Sequence, residues 1–230
     1  MITSVLMRKH RGSLVASVLL ALAPIAAHSD SAVERGEASA AICIACHQAD
    51  GNGIALPGAN PWPRLAGLDP DYLANQLRAF KSGERQSAEM TPFATMLSDE
   101  QIDDVAAYYS SLEARTPESS TEVSRDVLDA GQKLARYGDW NRYIVPCTSC
   151  HGPDNQGVGS AFPDISGQHA DYLAQQLTAW REGTRRGDPL GLMQAIAERM
   201  TDDDVTAVSA WLSTQPPADG RVAKAGGKAE

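Results

Sequence analysis

Cys43-Ile44-Ala45-Cys46-His47 returns about a hundred residues later as Cys147-Thr148-Ser149-Cys150-His151, and the two pentapeptides hold all 4 cysteines of the 230-residue chain. In each, two thiols lie one helical turn apart and a histidine follows the second at once. That arrangement lets the thiols form thioethers with the two vinyl groups of a haem while the adjoining imidazole becomes the proximal iron ligand. A CxxC pair alone also occurs in zinc sites and in redox-active dithiols. A zinc site built from both pairs would use shorter, ribbon-like spacing and would not need histidine at the same offset in each. A thioredoxin-like dithiol belongs in a βαβ pattern, which is absent. The sequence therefore predicts two covalently bound haem c groups, one on Cys43 and Cys46 with His47, the other on Cys147 and Cys150 with His151.

Upstream, Met1 to Gly12 carries Arg8, Lys9 and Arg11, Ser13 to Ala27 is almost wholly apolar, and Ala26, Ala27 and Ser29 are small. This is the pattern of a secretory signal peptide, expected over 1–29. The apolar run falls short of the roughly 20 residues a membrane helix needs. Export to the periplasm agrees with haem attachment, which takes place outside the cytoplasm. The chain has 20 Lys and Arg against 29 Asp and Glu, and removing the leader leaves 17 against 29, a balance of −12. Such a charge argues against nucleic acid and anionic lipid as partners, although it also serves plain solubility. It favours redox proteins with basic docking patches, with membrane contact only through those partners.

Downstream of the first motif, Gly51 to Pro63 is a Gly/Pro/Asn loop. Asp69 and Pro70 read as N-cap and first residue of a helix reaching about Ser82 and closed by Gly83. Ser98-Asp99-Glu100-Gln101 is a capping box opening a helix with Ile102, Val105 and Tyr109 inward. The second half repeats this order. Pro163 to Leu173 mirrors Pro63 to Leu73, YLAQQLTAW (172–180) matches YLANQLRAF (72–80), and Thr201-Asp202-Asp203-Asp204 opens a last helix. No stretch alternates with period two, so strands are not expected. The layout is all-α: an N-terminal domain over 30–113, a linker over 114–124, a C-terminal domain over 125–215 and a disordered tail over 216–230. Domains of this size gain core volume by wrapping a haem.

Each iron needs a sixth ligand or an open site, and four methionines lie beyond the leader, two per half. Aligning Ser98 with Thr201 matches Ile102 with Val205 and carries Met90 onto Met193. Met96 and Met200 do not coincide in that register. Met90 and Met193 are therefore the expected axial ligands, and Met96 and Met200 flexible core filling. His169 reads as a local or surface residue, Tyr72 and Tyr172 as core or haem-edge packing. Asp202 to Asp204 reads as a solvated helix start.

The duplicated CxxCH, the Pro-x-Leu/Ile-x-Gly and YLxxQL segments, MTPFATMLSDEQ and LMQAIAERMTDDDV together resemble the dihaem cytochrome c4 family, from about Val33 to Leu212. The resemblance implies two tandem class I cytochrome c domains related by a pseudo-twofold axis. It implies ligand pairs His47/Met90 and His151/Met193, and haem histidines hydrogen-bonded to the carbonyls of Pro63 and Pro163. Tyr137 to Tyr143 (YGDWNRY) has no match in the pattern. The expected function is an exported carrier of single electrons, for example from a quinol:cytochrome c oxidoreductase to a terminal oxidase. An electron-transfer subunit of a larger dehydrogenase shares these motifs. A dihaem redox enzyme would need one open haem site with acid or base groups beside it, and the shortage of histidine counts against that.

Overall fold

The computed structural model describes residues 31–55, 60–118, 122–188 and 190–218. The expected signal peptide and the tail from 219 lie outside the described residues, as do 119–121 of the expected linker. In the first half, α1 (Ala32–Ser39) starts from a capping box between Ser31 and Glu34, and α2 (Ile44–His47) is the turn that carries the first CxxCH. Helix α3 (Pro70–Ser82) starts where Asp69 accepts the Tyr72 N–H at 2.9 Å, and it stops at Gly83, whose φ of 85° is left-handed. Helix α4 (Met90–Met96) leads into α5 (Asp99–Ser111), opened by the Ser98/Gln101 capping box. The second half gives α6 (Arg125–Tyr137), α7 (Thr148–His151), α8 (Ala170–Arg181), α9 (Leu192–Ala197) and α10 (Asp202–Ser213), the last with a Thr201/Asp204 box. Among the described residues no helix is long and apolar enough to cross a membrane.

In each half the first and last helices cross at a glycine. A Cβ on Gly36 would stand 2.0 Å from the Asp104 carbonyl oxygen, and one on Gly131 2.0 Å from that of Ala207. No side chain fits there, so these crossings set how closely α1 meets α5 and α6 meets α10. Around the crossings lie two separate cores. Leu73, Leu97, Ile102, Val105, Tyr108 and Tyr109 form the first, with Cys43 packed against it; Leu134, Ile144, Leu173, Val208, Trp211 and Leu212 form the second, with Cys147 against it.

Several expectations need correction. A small antiparallel pair, β1 (Gln156–Val158) with β2 (Phe162–Asp164), lies in the second loop, and an Ile54–Trp62 bridge holds the first. Segments this short are fixed by backbone pairing and leave no alternation to read. Met200 is buried in the second core, but Met96 is 69% exposed, because Leu97 fills the position that Met200 occupies. Residues 216–218 are held in place: the Gln156 amide donates to the Pro216 and Pro217 carbonyls, and the Ala218 N–H donates to Asp164 at 3.0 Å.

The two halves dock through buried polar groups. Arg64, 1% exposed, pairs with Asp164 at 3.2 Å and donates to the Ser166, Gly167 and Ala66 carbonyls. His169 is not a surface residue. It occupies the N-cap place that Asp69 holds in the first half, makes no side-chain cap, and sends its Nε2 to the Asn52 carbonyl at 2.9 Å across the boundary. Burial lowers its pKa below the ordinary 6.5, the nearby Arg64 charge adding to the effect against opposing contributions from Asn52 and Asp171.

Gly36→Ala and Gly131→Ala are expected to destabilise their own halves by about 1–3 kcal/mol or more, read as a fall in thermal midpoint. His169 is neutral in the fold and takes a proton more readily when released. Its contribution to docking is thus complete above pH 6.5 and is lost as pH falls below it. A pH series of melting curves should show that loss in the parent protein and less of it in His169→Gln.

Candidate haem centres

Both CxxCH motifs form the same local structure. Each sits on a single helical turn, with the His47 N–H bonded to the Cys43 carbonyl at 2.9 Å and the His151 N–H to that of Cys147 at 2.9 Å. The four thiols are free and half-buried. Burial pushes the Cys43 thiol up and that of Cys147 up to about 11, so both are protonated at neutral pH. The imidazoles are buried, with His47 5% and His151 7% exposed. Burial lowers both histidine pKa values and keeps the rings neutral, against the opposing effect of a backbone hydrogen bond. That bond joins Nδ1 to a proline carbonyl: His47 to Pro63 at 3.0 Å and His151 to Pro163 at 2.7 Å. A neutral imidazole donating from Nδ1 carries its lone pair on Nε2, the state in which imidazole binds a metal.

Met90 and Met193 occupy equivalent places. Each lies at the start of a short helix, α4 or α9, and is half-buried. Each has its backbone N–H taken up by a side-chain oxygen, from Ser87 for Met90 and from Asp188 for Met193. The register alignment thus carries over into local geometry.

Sequence reading missed the groups that join the halves. Arg85 and Arg185 stand opposite each other in a backbone bridge and are 6% and 9% exposed. Arg85 donates to Gln76, Tyr172 and Gln176, and Arg185 to Gln176, Tyr72 and Gln76, a reciprocal set. Each guanidinium also lies over an aromatic ring, Phe80 at 4.5 Å or Trp180 at 4.7 Å. Burial pushes the Tyr172 hydroxyl up, but the two guanidiniums outweigh it and hold its pKa below the usual range. Tyr72 and Tyr172 are therefore interface ligands of arginine. The signal lay in the sequence: arginine recurs exactly one repeat after Arg85, in step with the YLxxQL segments.

These residues fit a haem. Among the described residues neither buried guanidinium has a carboxylate partner, and the Arg185 Nε is buried without any partner. Two buried cations facing each other need anions, and haem brings carboxylates on its propionates. The paired free thiols and the metal-ready Nε2 atoms match the rest of that group. The unmatched segment 137–143 faces outward, with Tyr137, Trp140 and Tyr143 all more than 60% exposed. It is pinned by Arg142, which bonds Asp139 at 2.7 Å and Asp204 at 2.5 Å.

A family model described as cytochrome c matches residues 33–113 and 129–216. A thiosulfate dehydrogenase electron acceptor from Thiomonas intermedia is 46% identical over 177 residues, 77% of this chain and 80% of that protein. Among solved structures, reduced recombinant cytochrome c4 from Pseudomonas stutzeri superposes with a TM-score of 0.71 at 36% identity, covering 80% of this chain and 98% of its own. Thiosulfate dehydrogenase (TsdBA) from Marichromatium purpuratum also gives 0.71, at 41% identity over 80% of this chain; the match spans 40% of that longer chain.

The holoprotein is expected to contain two covalent haems per chain by pyridine haemochrome assay. The double substitution Cys43→Ala with Cys46→Ala should reduce the count to one and leave the second half spectrally intact.

Proposed function

Since this chain belongs to the cytochrome c family, and within it to the dihaem cytochrome c4 group, we propose that its two irons are held by His47 with Met90 and by His151 with Met193. The protein is a dihaem electron carrier. The observation that supports the ligand reading is the matched state of the two histidines, each neutral and tied at Nδ1 to a proline carbonyl. Haem held by two protein ligands supplies one-electron exchange between ferrous and ferric iron without an open position for substrate.

The protein's residues shape that exchange. Pro63 and Pro163 hold the rings in orientation and raise their donor strength. The methionine thioether is a soft, polarisable donor that favours the ferrous form. Arg85 and Arg185 supply buried positive charge at the boundary between the halves.

For partners we propose redox proteins with basic docking patches outside the cytoplasm, reached through the leader at 1–29. A donor such as a quinol:cytochrome c oxidoreductase and an acceptor such as a terminal oxidase suit a free carrier. A second reading has a specific support: a relative at 46% identity is named as the electron acceptor of a thiosulfate dehydrogenase. On that reading the donor is a dehydrogenase catalytic subunit acting on sulfur compounds.

Carbon monoxide added to the fully reduced holoprotein tests the ligands. The parent is expected to show no spectral response, whereas Met90→Ala and Met193→Ala should each bind one equivalent. Stoichiometric binding by the parent would overturn the assignment at the responding haem and bring an enzymatic role forward. Mixing the oxidised protein with a thiosulfate dehydrogenase and thiosulfate separates the two donor readings. Rapid reduction supports the second, and reduction only by a quinol-linked donor supports the first.

A further inference from the structure

Equivalent residues of the repeat are treated unequally beside the two haem histidines. In the second half, Asp164 follows Pro163 and stands opposite Gln156 in the small β-ladder of its own domain. In the first half, the corresponding pair, Arg64 and Asn52, is turned to the other domain. The Asn52 carbonyl accepts from His169, and the Arg64 N–H donates to the Gln168 side-chain carbonyl at 2.9 Å. Gln168 returns its own amide to the Arg64 carbonyl at 3.0 Å and takes a further N–H from His169 at 3.1 Å. It is 4% exposed, and the Arg64 guanidinium bonds the neighbouring Gly167 and Ser166 carbonyls and Asp164. The counterpart of Gln168 one repeat earlier is Leu68, which can accept nothing.

The peptide between Pro63 and Arg64 is therefore bonded at both ends: its carbonyl takes the His47 Nδ1–H at 3.0 Å, and its N–H is taken by Gln168. Hydrogen bonds in series polarise one another. An acceptor on the N–H puts more negative charge on the carbonyl oxygen, which draws harder on the imidazole proton and makes the ring a stronger donor at Nε2. A stronger donor favours ferric iron.

We propose that Gln168 is a positioning residue for His47, acting across the domain boundary through the Pro63–Arg64 peptide, so that the second domain sets the redox balance of the first haem. Among the described residues no first-half side chain accepts the N–H of the matching Pro163–Asp164 peptide, and Arg64 reaches Asp164 only at its carboxylate. The proposal rests on the reading of His47 as an iron ligand. It makes the domain contact part of the first haem's tuning, where a purely structural contact would act on both halves alike.

The test uses the holoprotein, with the two midpoint potentials followed spectroelectrochemically and assigned to each half by haem-methyl NMR. Gln168→Met keeps the length of the side chain and removes its hydrogen bonds. The first haem is expected to move to higher potential, its reduction favoured severalfold, while the second stays in place. Gln168→Glu, which restores an acceptor to the Arg64 N–H, should bring the first haem back to the parent value or below it. An unmoved first haem in Gln168→Met, or equal shifts at both haems, overturns the proposal. If that variant does not fold, Gln168→Glu decides alone: a lowering confined mainly to the first haem supports the proposal, and no shift or an equal shift at both haems overturns it. Carbon monoxide inertness of the parent reports ligation separately, so a failure of the ligand reading shows there and not in these potentials.

Discussion

The hydrogen bond from a buried histidine Nδ1 to a proline carbonyl is the constraint on which both halves depend. It determines which nitrogen is left to donate and fixes the plane of a ring that burial keeps neutral. To make it, the chain must bring a loop from more than ten residues downstream back over the CxxCH turn. The short pairings Ile54 with Trp62 and Val158 with Phe162 close those loops, and the helices only provide the frame against which they close. The second loop is four residues shorter than the first, yet it delivers its proline carbonyl to the same atom.

The boundary between the halves is built from charge and hydrogen bonds in place of a continuous apolar core. Two hydrophobic clusters remain separate, and between them lie Arg64, Arg85, Arg185, Asp164, Gln168 and His169, all buried. Burying like charges face to face is costly unless counter-charge is present. The reciprocal bonds from Arg85 and Arg185 to tyrosine and glutamine neutralise neither guanidinium, and haem propionates would. On this view the haems are part of the adhesive between the domains as well as the cargo of each. Docking and loading are then coupled.

A duplicated chain can also do what a symmetric dimer cannot. Arg64 and Asp164 are the same position in the repeat, and so are Leu68 and Gln168. In two identical copies the first pair would place like charges together at the boundary. In this chain the first pair is a buried ion pair and the second supplies a one-sided acceptor. The pseudo-symmetry is thus kept where it builds the fold, at Gly36 and Gly131, and broken where the two centres can be made different.

The sequence by itself determined a good deal: the two attachment motifs, the tandem and mostly helical layout, the helix caps at Asp69, Ser98 and Thr201, and the matching of Met90 with Met193 by register. These are local or periodic properties, written in neighbouring residues and in the repeat. The tertiary structure alone decided that His169 is buried and spans the boundary, that Met96 faces solvent while Met200 does not, and that residues 216–218 are pinned. It also decided that Arg85 and Arg185 meet with no carboxylate partner among the described residues and that Gln168 reaches the peptide beside His47. Each of these depends on which surfaces of the two halves are pressed together. A contact between residues a hundred positions apart leaves no trace in local spacing.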